Sequence, residues 1–419
     1  MTRQENTPNN TPFSEERSNP VKLSRYTLLA QVYFFFNALF LPKGLLYSTL
    51  LSPYFFWRQT QLKRPTAWKS FFFILLLYDV IHVWMGVDSM SFLKSNLLFI
   101  ATYFFVVSAF HFVNTYSPMA KLFRQVLVFN CFMVLVAIPF FFMDPHYQDW
   151  FWWVNRVAPG ATEFPRLKLF TYEASYYALL FVPILYYYVF KFLFHDVHQY
   201  RWPLLICILV PVVFSMSFGV IGATLIAAVA MCVLFRKQLL RYKKPFQIML
   251  TAILLLGFGF GILLYLFPNS ALVIRFFNVF KGVDTSANGR ISDSLSLGWR
   301  IAQLKSIWFG AGLGQVKIQI VEVVKLYYNY WGQFARYDIP NAIGETMAIF
   351  GLSGVAGRIA LQIYFFRKTR VASNYYRLAL FIFVFVYQFT GSFITNVAEY
   401  MIWILAFSEI FPQFNAKDL

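Results

Sequence analysis

Ionisable side chains inside apolar stretches are the first candidates for chemistry in this chain of 419 residues. A carboxylate among apolar neighbours costs free energy, so its retention signals a task. Glu173 stands in Phe170-Thr171-Tyr172-Glu173-Ala174-Ser175-Tyr176-Tyr177, where an apolar stretch begins. A half-buried carboxylate at such a boundary is a candidate general base. Glu345 lies one turn into a later apolar stretch that starts at Asn341, and Glu399 sits near Asn396 in the last. Asp79 and His82, at i and i+3, share one helix face and are placed to pair. The competing reading for each is a structural bond between helices.

Cations form the second set. The stretches 144–170 and 268–340 hold Arg156, Arg166, Lys168, Arg275, Lys281, Arg290, Arg300, Lys305, Lys317, Lys325 and Arg336 against seven acidic residues. Arginine binds phosphate oxygens through a planar fork that lysine lacks, so an anionic phosphate or pyrophosphate is the expected ligand. The bland alternative is solubility and headgroup contact. Gly310-Ala311-Gly312-Leu313-Gly314 lacks the preceding strand and the Lys-Ser/Thr of a phosphate loop. The histidines do not cluster as metal ligands, and Cys131, Cys207 and Cys232 all lie in apolar runs. No metal, cofactor or disulfide framework is expected.

The elements that must position these residues follow from composition. Hydrophobic residues make up 59% of the chain, aromatics 21% and charged residues 13%. A soluble chain carries about 25% charged residues, and one core cannot hide so much apolar surface. A soluble enzyme is excluded. The expected class is an all-α integral membrane protein with about twelve transmembrane helices. The spans are read at Tyr26–Leu41, Lys43–Trp57, Ser70–Val87, Phe92–Phe112, Gln125–Met143, Thr171–Phe194, Pro203–Met216, Gly219–Phe235, Phe246–Phe267, Asn341–Phe366, Leu378–Ser392 and Thr395–Phe411. Residues 1–25, polar and without an apolar signal core, read as a disordered cytoplasmic tail, and 412–419 as a second tail.

Basic clusters at Arg58–Lys69, Arg236–Lys244 and Arg367–Arg377 place both termini inside. Residues 144–170 then form an aromatic outer loop suited to the headgroup layer, and 268–340 a large outer loop. Leu297, Ile301, Leu304 and Trp308 repeat at helical spacing, as do Val316, Ile320, Val323, Val324 and Tyr327. Two membrane-lying amphipathic helices joined by Gly310–Gly314 are expected.

At this point the chain resembles the O-antigen polymerase and O-antigen ligase superfamily. Ser286-Ala287-Asn288-Gly289-Arg290, followed by Trp308 through Gly314, is similar to its Gly-Arg and Gly-x-Gly-x-Gly stretch. Tyr172 through Tyr177 resembles its Glu-Pro-Ser entry to a span, with Ala174 where Pro is usual. Asn341 to Gly354 resembles its His-Asn and Gly-Leu-x-Gly entry after the large loop, with Pro340 in place of His. Residues 268–340 contain no histidine, which favours polymerase over ligase.

The resemblance implies a GT-C-like fold in a bacterial inner membrane and an active site on the periplasmic side of a large periplasmic loop. It implies undecaprenyl-pyrophosphate-linked oligosaccharides as donor and acceptor, a flippase and a chain-length regulator as partners, and no nucleic acid. Glu173 would be the base and Arg290 the pyrophosphate ligand. Arg300, Lys305, Arg336, Arg156, Asn341, Glu345 and Tyr172 would support binding, with Glu345 as an alternative base. A glycan ligase is the nearest alternative. A lipid-linked oligosaccharide flippase is a more distant one, disfavoured because the charges crowd one face instead of lining a path.

Overall fold

The computed structural model describes residues 47–61, 67–115, 119–153, 165–194, 201–215, 217–236, 288–329 and 338–416, with short pieces between 261 and 282. The expected spans 26–41 and 246–267, the N-terminal tail, Arg156 and Arg336 lie outside the described residues or almost wholly so.

The described chain is a helical bundle. Its helices are α1 (Tyr47–Gln61), α2 (Trp68–Trp84), α3 (Ser89–Thr115), α4 (Met119–Phe141), the single turn α5 (Pro145–Gln148), α6 (Ala174–Phe194), α7 (Arg201–Ser215) and α8 (Phe218–Leu234). They continue with α9 (Ser294–Gln303), α10 (Val316–Tyr328), α11 (Ala342–Lys368), α12 (Tyr375–Tyr387) and α13 (Val397–Phe407). Four of them, α3, α4, α6 and α11, are long and apolar enough to cross a membrane. The α7, α8, α12 and α13 helices are apolar but shorter.

Helix α6 is the axis. It is buried along most of its length, and its Tyr186, Tyr187 and Tyr188 belong to a core shared with α3, α4, α8, α12 and α13. Burial on all sides explains why its sequence shows no polar face.

The expected spans over 378–392 and 395–411 shrink to α12 and α13, of 13 and 11 residues. At 1.5 Å per residue they run about 20 Å and 17 Å, short of the roughly 30 Å hydrocarbon layer. Polar N-caps fix where they start. Asn374 accepts from the Arg377 amide at 3.1 Å, and Asn396 accepts from the Ala398 and Glu399 amides. Between α12 and α13 the chain is irregular, with Ser392 at φ 74°. Ser392, Ile394 and Asn396 are buried in this turn, so its backbone is surrounded by protein.

The C-terminal tail is not a free tail. Phe414 is fully buried, and Asn415 pairs with Asn374 as an antiparallel bridge. Arg377, read from sequence as one more basic anchor, is buried too. Its guanidinium donates to the carbonyls of Thr369 at 2.6 Å and Ala406 at 3.0 Å, capping the ends of α11 and α13.

The described residues of 144–170 include a small sheet. Strands β1 (Trp152–Trp153) and β2 (Arg166–Leu167) pair antiparallel. Trp152 is buried and donates its indole N–H to the Ala137 carbonyl at 2.8 Å. Trp150 remains exposed, as an interfacial residue would.

The largest departure concerns Gly310–Gly314. These residues do not join two helices lying apart on a membrane; they thread between α2, α3 and α11. Helix α11 breaks at Gly351 (φ 66°, ψ −162°). The loop satisfies the opened backbone. Ala311 and Gly312 amides donate to Ala348 and Ile349, while Leu352 and Ser353 amides donate to Ile307 and Trp308. His82 sits against Gly312 and bonds the Phe309 carbonyl through Nε2 at 2.8 Å. Its Nδ1 has no hydrogen-bond partner among the described residues, so the expected pairing with Asp79 is not formed. Helices α9 and α10 fold over this loop, sharing Leu297, Ile301, Val316, Ile320 and Val324 in a second core.

Helix α9 crosses the start of α11 at backbone contact. A Cβ on Gly298 would lie 2.3 Å from the Gly344 carbonyl oxygen. Gly298→Ala is expected to lower stability by about 1–3 kcal/mol, the usual cost of overpacking. Gly357→Ala, with open space around it, should be neutral or stabilising by about 0.5–1 kcal/mol. Thermal unfolding in detergent compares the two.

Candidate functional site

Glu173 precedes the first turn of α6, and its carbonyl accepts from the Tyr177 amide at 3.1 Å. A negative side chain there is favoured by the positive end of the helix dipole. The Ser175 hydroxyl donates to Glu173 Oε1 at 2.5 Å, which fixes the rotamer and leaves Oε2 for another partner. Arg290 lies in the π-helical turn Gly289–Asp293 that leads into α9. Its Nη2 stands 3.9 Å from Glu173 Oε1, with the two side chains 35% and 30% exposed. Both groups are held by protein on one side and open on the other.

The arginine is positioned through its backbone. Asn341 is fully buried and engaged at both ends of its amide. Its Oδ1 accepts from the Ile343 and Gly344 amides and caps α11, while Nδ2 donates to the carbonyls of Arg290 at 2.8 Å and Phe389 at 2.5 Å. A ligand cannot reach it. Its role here is to tie Arg290, the start of α11 and the α12–α13 turn into one unit, a correction to its expected place among the substrate-binding residues.

Two aromatic hydroxyls complete the surroundings. Tyr172 is 40% exposed, with its ring centroid 4.9 Å from that of Tyr176. Tyr387 is buried at the end of α12, within electrostatic reach of Glu173, Arg290 and Arg166. Arg166, on β2, donates through Nε to the Ser215 carbonyl at the end of α7 at 3.0 Å. It brings a second guanidinium toward the cluster. Sequence reasoning counted Arg166 among the loop cations without singling it out, and it missed Tyr387. The pairing of 153 with 166 in the short sheet, which aims Arg166, left no periodic signal.

Among the described residues, Glu345, Arg300 and Lys305 have partners of their own. Glu345 is tied down: its Oε2 accepts from the Ile394 amide at 2.6 Å and pins the α12–α13 turn. Arg300 is exposed and stacks over the Tyr327 ring at 5.0 Å. Lys305 donates to the Gly86 carbonyl after α2, and burial pushes its ammonium below the ordinary lysine range. With Gln315, whose amide bonds both backbone groups of Asp88, Lys305 clamps the glycine-rich loop to the α2–α3 turn.

The cluster gathers at one end of the bundle. The 85–88 turn contacts Lys305 and Gln315, the start of α6 meets Arg290, and the start of α11 bonds both Arg290 and the 388–396 turn there. At the other end Asn374 meets Asn415, Phe123 meets Phe411, and Asn114 meets Ser408. Among the described residues no group of three or more His, Cys, Asp or Glu is placed to hold a metal ion. No protein-family model matches the sequence, and neither does any curated protein.

Proposed function

We propose that the chain is a polysaccharide polymerase that joins undecaprenyl-pyrophosphate-linked oligosaccharide units by inverting glycosyl transfer. The observation that carries this reading is the carboxylate of Glu173 facing the guanidinium of Arg290 at an open end of a membrane-type helical bundle, with Arg166 and two tyrosines beside them. In the proposed reaction the acceptor hydroxyl oxygen attacks the anomeric carbon of the donor. The bond from that carbon to the pyrophosphate oxygen breaks, and lipid pyrophosphate leaves with the bonding pair. Glu173 takes the hydroxyl proton. Arg290, aided by Arg166, neutralises the charge that develops on the leaving group. The Arg290 fork has donors beyond the one turned to Glu173, so one guanidinium serves both groups.

The same reading makes the chain a twelve-span, GT-C-like protein of a bacterial inner membrane. The Glu173 end faces the periplasm, both termini are cytoplasmic, and a flippase and a chain-length regulator act as partners. Positive charge concentrated at one outer surface supports it over transport, which needs a polar path through the bundle.

The test is incubation of the purified chain with a synthetic lipid-linked repeat unit. A ladder of products is expected. A single transfer to an unrelated acceptor would indicate a ligase, and movement across vesicles without bond formation a flippase. Arg290→Lys keeps the charge and loses the fork, and should lower turnover by about 10²-fold, the cost of removing one transition-state donor. Lys325→Ala, on α10, should stay near wild type. Equal activity of the two variants would reduce the loop to a charged surface.

A further inference from the structure

Tyr387, the last residue of α12, has no task in the scheme above. It is 4% exposed, and its ring stacks on that of Phe383 at 5.7 Å between centroids. Two glycines make room for it. A Cβ on Gly219, in the first turn of α8, would lie 3.7 Å from Tyr387 Cε2. One on Gly391 would lie 3.0 Å from Cζ and 3.1 Å from the hydroxyl oxygen. The hydroxyl thus sits against the backbone of the turn that follows α12. That turn belongs to the scaffold of Arg290: the Gly391 carbonyl accepts from the Ala342 amide, and the neighbouring Asn341 holds the Arg290 carbonyl.

The hydroxyl has no internal use. Tyr177 and Tyr376, also buried, donate to Asn130 Oδ1 and to the Pro183 carbonyl, as a buried phenol normally does. Among the described residues the Tyr387 hydroxyl makes no hydrogen bond. Burying an unpaired hydroxyl costs free energy, and phenylalanine would fill the same space without that cost. A partner that arrives with the substrate accounts for it. Of the charged groups around Tyr387, Arg290 acts on it most strongly, ahead of Glu173, Glu399 and Arg166. The hydroxyl therefore stands on the arginine side of the Glu173–Arg290 pair.

We propose that the Tyr387 hydroxyl donates a hydrogen bond to a phosphate oxygen of a prenyl pyrophosphate held at Arg290. The identity of that anion rests on the polymerase reading. No bond is made or broken at the tyrosine. Its proton stays on the phenol oxygen, and the contact strengthens as charge grows on the departing pyrophosphate. A sugar hydroxyl is the competing partner, but the acceptor must lie on the Glu173 side to lose its proton.

The test titrates farnesyl pyrophosphate into the full purified chain in neutral detergent, read by calorimetry, and in parallel follows the product ladder from a lipid-linked repeat unit. A hydrogen bond to a charged group is worth roughly tenfold or more in affinity. Tyr387→Phe should therefore weaken farnesyl pyrophosphate binding by about 10-fold and lower kcat by about 10²-fold. Its melting temperature should match the wild type, since no hydrogen bond within the protein is lost. Gly391→Ala, which crowds the hydroxyl, should weaken the same binding and add nothing in the Tyr387→Phe background. Failure of the wild type to bind would overturn the proposal. So would unchanged affinity or a marked loss of thermal stability in Tyr387→Phe, or an additive effect of Gly391→Ala. Affinities that fall as expected, with no ladder from the wild type, would keep the pyrophosphate contact and sink the polymerase reading. A ladder from the wild type with unchanged affinity in Tyr387→Phe would do the reverse.

Discussion

Glu173→Gln is expected to lower turnover of a lipid-linked repeat unit by about 10²–10⁴-fold, the usual contribution of a positioned base, and to leave the fold intact. Glutamine keeps the shape of the side chain and still accepts the bond from the Ser175 hydroxyl. What it loses is the ability to take a proton, and a charge facing Arg290. That charge pair spans 3.9 Å and is about one-third exposed. Exposed pairs of this kind contribute about 0–1 kcal/mol, so the melting temperature should hardly move. Substrate binding, measured as retention of the lipid-linked donor on purified protein, should also persist. In cells the variant should leave single unpolymerised repeats on the surface. Polymer near the wild-type amount would remove Glu173 from the chemistry. A large loss of thermal stability would make it a helix anchor instead. Glu345→Gln should behave differently, because Glu345 accepts a backbone amide and glutamine can do the same.

The second large effect is one of stability. Arg358 of α11 and Glu399 of α13 form an ion pair, with Glu399 only 1% exposed. Arg358 Nε also donates to Gln388 at 2.9 Å, Gln388 and Gln362 exchange hydrogen bonds, and Ser392 and Trp403 both donate to Glu399. Removing one partner of a buried pair typically costs about 3–5 kcal/mol, since the other is left as an uncompensated charge. Arg358→Met alone should therefore unfold near or below ordinary working temperatures. The double change Arg358→Met with Glu399→Leu should recover much of the loss, because well-packed apolar residues can replace a buried pair without penalty. Thermal unfolding of the two variants decides it; equal melting would mean that the pair is not desolvated in the folded protein. The pair also bears on the candidate site. Gln388 and Phe389, at the head of the turn it holds, supply carbonyls that bind Ile343 and Asn341, and Asn341 holds Arg290. Conditions that melt the turn should abolish activity before the rest of the bundle opens.

Class and local structure were legible in the residues alone. An apolar fraction of 59% with 13% charge leaves a membrane as the only solvent that fits. Helices α2, α3, α4, α6, α7, α8 and α11 fall where unbroken apolar runs predict them, because a long run of helix-compatible apolar residues needs only its own backbone bonds. Glu173 and Arg290 were also identifiable one at a time, from the expense of a carboxylate in an apolar run and from a basic loop.

Only the tertiary structure brought those two together and gave Arg300, Lys305 and Glu345 partners of their own. Each of these three satisfies its polar group on a distant carbonyl, ring or amide, and no spacing rule marks such partners. The insertion of Gly310–Gly314 beside Gly351 was equally hidden: glycine permits both close backbone approach and a positive φ, but the residue does not announce which partner approaches. Arg377 looked like a cytoplasmic charge because its neighbours Arg367, Lys368 and Arg370 are basic. Burial made it a cap on two helix ends instead. The sequence by itself determined what must leave water and which segments coil. Which polar group answers which was decided by packing, since desolvation forces every buried donor and acceptor to a partner that only the assembled bundle brings within reach.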